Sequence, residues 1–158
     1  MSNDVWIDNK DPVPSLAEGP RLLVALPCED GAASVAVGDG RATLQRIFYD
    51  LYADGFPAAF DRLNVATIWM GGEGEHAIGV RLSKPDGGVL VEVEMEYVAQ
   101  PEPATAVRLF HLSSDGVMTL ALPVPGRYSV DILLNGVPVQ TFPLFVVDGR
   151  RDGNDETA

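Results

Sequence analysis

Lysine is nearly absent from this chain: Lys10 and Lys84 are its only two, and Lys and Arg together number 11 against 23 Asp and Glu, a formal charge of -12. A surface of that sign repels nucleic acid phosphates and anionic lipid headgroups, so neither is an expected partner. Cysteine occurs once, at Cys28, which rules out an intrachain disulfide, a cysteine-based zinc cage and a two-cysteine redox motif within one chain. No apolar run approaches membrane-spanning length. The first residues, MSNDVWIDNKDPVPS, carry acids where a signal peptide carries bases and have no apolar h-region, which points to a cytoplasmic protein. Glycine-rich stretches are present, but GDGRAT and GGEGEH match neither the dinucleotide fingerprint nor the P-loop and are expected to be turns.

What is present is a well-supplied core. Hydrophobic residues make up 46% of 158, enough for one domain burying roughly two thirds of its unfolded surface. Polar composition marks residues 1–19 as a leader and 149–158 as a tail, with the domain between them at 20–148. Within it, Gly, Pro, Asp and Asn interrupt runs of Val, Leu, Ile, Tyr and Phe at the spacing of an all-β antiparallel sandwich. The expected strands are 21–26, 42–52, 62–70, 75–83, 89–98, 104–112, 116–122, 127–134 and 137–147. In the second of these, Leu44, Ile47, Phe48, Leu51 and Tyr52 also fall on a helical stripe, and periodicity alone favours an amphipathic helix there.

Two hairpins can be drawn residue by residue. Asn135-Gly136 suits the two positive φ values of a type I′ turn, pairing Leu134 with Val137, Leu133 with Pro138, Ile132 with Val139 and Val130 with Thr141. Proline cannot donate to a second neighbour, so the segment around Pro138 belongs on a sheet edge. Around SKPDGGV, pairing Lys84 with Val89 sets Leu82 opposite Val91, Val80 opposite Val93, Ile78 opposite Met95 and His76 opposite Tyr97. Arg81 then meets Glu92 on the wet face, and a slip of one residue would mix the two faces.

The stretch VEVEMEY poses the functional question, because Glu92, Glu94 and Glu96 line one face of a strand. Their Cα atoms stand about 6.5–7 Å apart, too far to converge on one calcium ion without ligands from elsewhere. They form a solvated acidic stripe able to meet a basic partner. His76 and His111 are the only histidines, and a metal site would need both brought to a carboxylate such as Glu73 or Glu75. HLSSD at 111–115 lists triad residue types, but triad members come from separate elements and this run looks like a strand ending in a turn. CEDG, KPDGG and SSDG lack the alternating oxygen ligands of an EF-hand loop. Trp69, on the same side as Val65 and Thr67, belongs to the core. Trp6, in the apolar trio Val5-Trp6-Ile7, has to dock on its own sheet or on another molecule.

Three blocks, IFYDLYADGFPAAFDRLNVATIW, GEGEHAIGVRLSKPDGGVL and PVPGRYSVDILLNGVPVQTFPLFVV, resemble a family of small bacterial proteins of unknown function, over residues 22–147. The resemblance implies an immunoglobulin-like sandwich, a strand rather than a helix before the Phe56-Pro57 turn, and a final hairpin entered through Pro125, Gly126 and Tyr128. The stretch CEDGAASVAVGDGRAT is longer and richer in Gly and Ala than that family's approach to its second strand. The family carries no catalytic residues to transfer.

Together these features point to a non-enzymatic binding or accessory module, without cofactor or metal, that recognises a protein partner, with homo-oligomerisation left open. The candidate contacts are Trp6, Glu92, Glu94, Glu96 and Pro138, the last by strand addition. The alternatives are a small-ligand or carbohydrate-binding sandwich using aromatics and, third, a metal-dependent enzyme built on the two histidines.

Overall fold

A computed structural model describes residues 19–33, 42–61, 63–114 and 119–149. Nine strands run through them: β1 (Arg21–Ala33), β2 (Ala42–Ile47), β3 (Asp50–Ala53), β4 (Ala58–Phe60), β5 (Asn64–Ser83), β6 (Val89–His111), β7 (Leu120–Leu122), β8 (Gly126–Leu134) and β9 (Val137–Asp148). Seven form one curled sheet in the order β2-β1-β5-β8-β9-β3, with β6 paired to β5 off that path; β4 and β7 form a separate ribbon. The expected all-β class stands, with one departure from antiparallel pairing: β3 lies parallel to β9.

Two expected strand pairs are fused. Residues 62–70 and 75–83 belong to the single 20-residue β5, and 89–98 and 104–112 to the 23-residue β6. GGEGEH is therefore a corner inside a strand rather than a turn between strands. Gly71, Gly72 and Gly74 have φ values of 79, 87 and 80°, and the β5–β6 register shifts there. Such backbone favours glycine. A Cβ on Gly72 would lie 2.5 Å from the carbonyl carbon of Gly19, so the chain entering β1 seats directly on the corner.

The corner switches which side chains face inward. In the first half of β5, Val65, Thr67 and Trp69 are buried; in the second half Ile78, Val80 and Leu82 are. β6 switches with it, from Val93, Met95 and Tyr97 to Ala106 and Phe110. β1 pairs with the first half of β5 and β8 with the second, so one long hairpin joins both halves of the sheet around one apolar cluster. Two polar side chains enclosed there are linked: Trp69 Nε1 donates to Thr67 Oγ1 at 2.8 Å, and that hydroxyl donates to the Arg108 carbonyl at 2.9 Å.

The helical stripe at 44–52 is not realised. β1 and β9 supply backbone partners for β2 and β3, Arg46 takes a φ of 60°, and Ile47 and Tyr52 are left exposed. Tertiary pairing outweighs local periodicity. The β5–β6 hairpin keeps the expected register from His76–Tyr97 to Leu82–Val91, but Val89 faces Ser83 instead of Lys84. The reason is local: the Lys84 N–H donates to the Gly88 carbonyl and closes the loop one residue sooner.

In the β8–β9 hairpin, Asn135 and Gly136 have φ values of 52 and 82°, and Leu134 and Leu133 face Val137 and Pro138. Beyond that the expected register fails: Ile132 faces Gln140 and Val130 faces Phe142, with Val139 the extra residue of a bulge. Burial explains the slip. It sets Phe142 inside against Val130 and leaves Thr141 outside, where its hydroxyl donates to Asp131 Oδ1 at 2.6 Å.

At the start of β8, the Tyr128 hydroxyl donates to the Val124 carbonyl at 2.6 Å and accepts from the Val124 N–H at 3.3 Å. This is the bond pattern of a tyrosine corner, and it ties the β7–β8 connection to the sheet. Tyr128→Phe is expected to cost about 1 kcal/mol by removing that bond. Gly79→Ala, whose new Cβ would sit 2.7 Å from the Val93 carbonyl oxygen, is expected to cost about 1–3 kcal/mol through strand displacement. Urea midpoints that fall at unchanged slope will verify both.

Candidate interaction surface

Alternation along β6 sends Leu90, Val91, Val93 and Met95 toward the core or its margin and leaves Glu92, Glu94 and Glu96 exposed. On the outer face, the Arg81 guanidinium sits between two carboxylates, 3.0 Å from Glu92 Oε1 and 3.8 Å from Asp131 Oδ2. Thr141 extends that row through Asp131. Glu94 and Glu96 lie opposite Gly79 and Ala77, and neither has a cationic partner among the described residues. The three glutamates form a continuous negative stripe of which only the first is neutralised. Along its other side β6 has no strand neighbour among the described residues. The acidic stripe therefore borders a backbone edge that no described strand covers.

Pro138 also stands at an edge. β3 covers only Phe145 to Asp148 of β9, leaving the Val137–Leu144 part without a second neighbour among the described residues. The missing proline N–H and the bulge at Val139 both disfavour an added strand there. Trp6 lies outside the described residues.

The histidines are not brought together. His111 pairs with Asn64 at one end of the β5–β6 ladder, while His76 lies twelve residues further along β5, beyond the corner. His76 is fully bonded: Asn135 Nδ2 donates to Nδ1 at 3.0 Å, and Nε2 donates to the Glu73 carbonyl at 2.7 Å. Asn135 is itself fixed by accepting the Ala77 N–H. His111 Nδ1 contacts Asn64 Oδ1 at 3.0 Å. Among the described residues, no three His, Cys, Asp or Glu side chains are grouped to hold a metal. In HLSSD, Ser114 is a turn residue whose Oγ accepts the Ala121 N–H; Asp115 lies outside the described residues.

Sequence reasoning missed two features. Arg108 lies opposite Thr67 and so on the inner face of β6, with its guanidinium carbon 5.1 Å from the centroid of the buried Tyr97 ring. Its alternation with Ala106 and Phe110 was the available signal. The second is a cleft of about 330 Å³ lined by Phe48, Leu51, Phe60 and Leu63 together with Glu29 and Asp61. No linear spacing reveals it, because its walls come from four separate segments.

A model of a protein family of unknown function, DUF6941, matches residues 24–147. The chain belongs to the DUF6941 family. No curated protein matches it. The DUF6941 match begins within β1 and ends within β9, so the acidic stripe, the free β6 edge and the corner all lie inside the family region. No helix among the described residues is long and apolar enough to cross a membrane.

Tyr97 is 1% exposed, and its hydroxyl makes no hydrogen bond of good geometry among the described residues, although the Gln100 backbone lies nearby. Burial pushes its phenol above the ordinary 10.0, against the opposing pulls of Arg108 and the Gln100 backbone. Tyr128 is raised as well, by burial, with the Val124 backbone bond opposing and Asp86 adding to the rise. The fold thus favours the neutral phenols. The associated stability is complete below the unfolded value and is lost as pH rises through 10 toward the folded values. Tyr97→Phe is expected to leave stability at neutral pH unchanged or raised and to shrink the alkaline loss. Denaturation between about pH 8 and 11 checks this, set against the loss already expected for Tyr128→Phe at neutral pH.

Proposed function

We propose that this DUF6941 protein is a non-catalytic recognition module that accepts an extended basic segment of a protein partner along β6. The observation that carries this is the coincidence of a strand edge with no neighbour among the described residues and exposed carboxylates at every second residue. An incoming strand would satisfy the edge with main-chain bonds, and its own alternate Lys or Arg side chains would fall opposite Glu92, Glu94 and Glu96. The net charge of -12 would add long-range steering of such a partner. A further element of the proposal is an immunoglobulin-like architecture, supported by the Tyr128 corner.

A second reading, small-ligand binding, is favoured by the Phe48–Leu51–Phe60 cleft, whose volume falls in the range of ligand pockets. For sugars, Trp69 is enclosed, and stacking would pass to the exposed Tyr52 and Phe145.

A peptide of alternating Lys and Val provides the test by titration calorimetry. Binding is expected, and it should weaken as salt rises from about 0.05 to 0.2 M. Charge reversal by Glu94→Lys with Glu96→Lys should weaken it on the order of tenfold, since two cross-strand pairs of about 0.2–1 kcal/mol each turn repulsive. Equal affinity for the reversed protein would overturn the proposal.

A further inference from the structure

Phe48, Leu51 and Phe60 are apolar, yet each is only half-buried. The Phe48 N–H donates to the Pro27 carbonyl at 3.3 Å, which holds the bend between β2 and β3 against β1. Leu51 pairs with the buried Val146 and Phe60 with the buried Leu120, so register turns both side chains inward. All three pack on the interior cluster and stay part-exposed, and the cleft they line has as its floor Leu63, a member of that cluster at 1% exposure. Glu29 and Asp61 line the same cleft of about 330 Å³, and no cationic side chain among the described residues does. Both acids are tethered: Asn64 Nδ2 donates to the Glu29 carbonyl at 2.9 Å, and Thr119 Oγ1 donates to Asp61 Oδ1 at 3.4 Å. Arg46 is not part of the lining, but its Nη1 reaches Glu29 Oε1 at 3.4 Å with its own side chain 77% exposed.

We propose that this cleft binds a small organic cation, an ammonium group carried on an apolar body such as an aromatic ring. The cavity holds the body, and its charge selects the head group. A dry cavity of about 150 Å³ accommodates benzene, so a cleft of about 330 Å³ has room for a ring with a short aminoalkyl arm. Phe48, Leu51, Phe60 and Leu63 take the body out of water, and the two phenyl rings attract a cation through their quadrupoles. Other ligand classes fit less well. A wholly apolar molecule would strip water from two carboxylates and return no hydrogen bond. An anion meets two like charges on a chain already at -12. A bare metal ion finds only these two acids, because among the described residues no three His, Cys, Asp or Glu side chains are grouped to hold one. An ammonium group instead forms charge-assisted hydrogen bonds with Glu29 and Asp61. The Arg46–Glu29 pair is of the exposed kind that adds little stability, so Arg46 is a displaceable competitor for the incoming cation. This inference deepens the small-ligand reading of the cleft and rests on it; it does not depend on the β6 edge binding a basic partner.

Amide NMR of the full chain, titrated in turn with phenethylamine, phenethyl alcohol and phenylacetate, tests it. Phenethylamine is expected to shift the amides of Leu51, Phe60 and Asp61 with a dissociation constant on the order of 1 mM or below. It should bind about tenfold more tightly than the alcohol, with phenylacetate weaker still. Glu29→Gln and Asp61→Asn should each weaken the amine about tenfold and leave the alcohol unchanged, whereas Arg46→Ala should tighten the amine about threefold. A purely structural effect would move both probes together. Should Asp61→Asn lose its dispersed spectrum, Glu29→Gln and Arg46→Ala decide the matter. Alcohol or phenylacetate held in the cleft as tightly as the amine would overturn the choice of a cation and leave the small-ligand reading standing; no probe shifting these amides would remove both. Amine shifts confined to Glu92, Glu94 and Glu96, or an amine affinity indifferent to the neutralised carboxylates, would also overturn the proposal, the former by assigning the amine to the acidic stripe.

Discussion

The corner at Gly71 to Gly74 is the constraint on which the rest depends. A strand has a side-chain period of two, so a straight β5 would keep odd-numbered residues on one face for its whole length. The sequence instead puts Val65 and Trp69 inside in the first half and Ile78, Val80 and Leu82 inside in the second. Only a backbone irregularity between them lets both sets reach one interior, and backbone at positive φ supplies it. β1 and β8 then find separate stretches of β5 to pair with, on the side that β6 leaves open. Loss of the corner would expose one apolar set or the other.

The polar contents of the interior follow from that geometry. The turn in the hairpin faces Tyr97 of one half of β6 toward Arg108 of the other, and Trp69 lies 6.2 Å from Tyr97 between ring centroids. Thr67 relays the indole N–H to a strand carbonyl, so the enclosed tryptophan has no unmet donor. The Tyr97 hydroxyl is the less well satisfied group, and the nearby guanidinium face offsets part of the cost of its burial.

Much of this was legible where burial and turn chemistry agreed. The Asn135-Gly136 turn followed from the two positive φ values that pair accepts, and the Val80–Val93 register from alternation, because a slip of one residue would have buried a glutamate. The errors fell where local signals and long-range pairing disagreed. Val139 bulges because Phe142 outweighs Thr141 for the place beside Val130, a competition between side chains that a turn rule does not contain. The stretch at 44–52 was ambiguous for the same reason: its helical stripe is real, but β1 and β9 offer more bonds than a short helix would. β4, three residues long, carries no periodic signal at all. Of the candidate surface, the glutamates were visible as alternation, whereas the free edge beside them is a property of topology.

The described edges of the curled sheet are treated differently, and that difference carries functional weight. β2 is only six residues long and carries a residue of positive φ, Arg46 at 60°, next to its last. The exposed part of β9 is blunted by Pro138 and by a bulge, devices that discourage pairing with another chain. β6 between Val89 and Val98 has neither proline nor an internal register shift beyond its first residues, and its outward side chains are glutamates. Like charge at every second position repels a second copy of the same strand while attracting one of opposite charge. In the proposed function, an edge guarded in that way would disfavour pairing with a second copy and favour a basic segment, so protection from aggregation and selection of a partner would be the same electrostatic property of one strand.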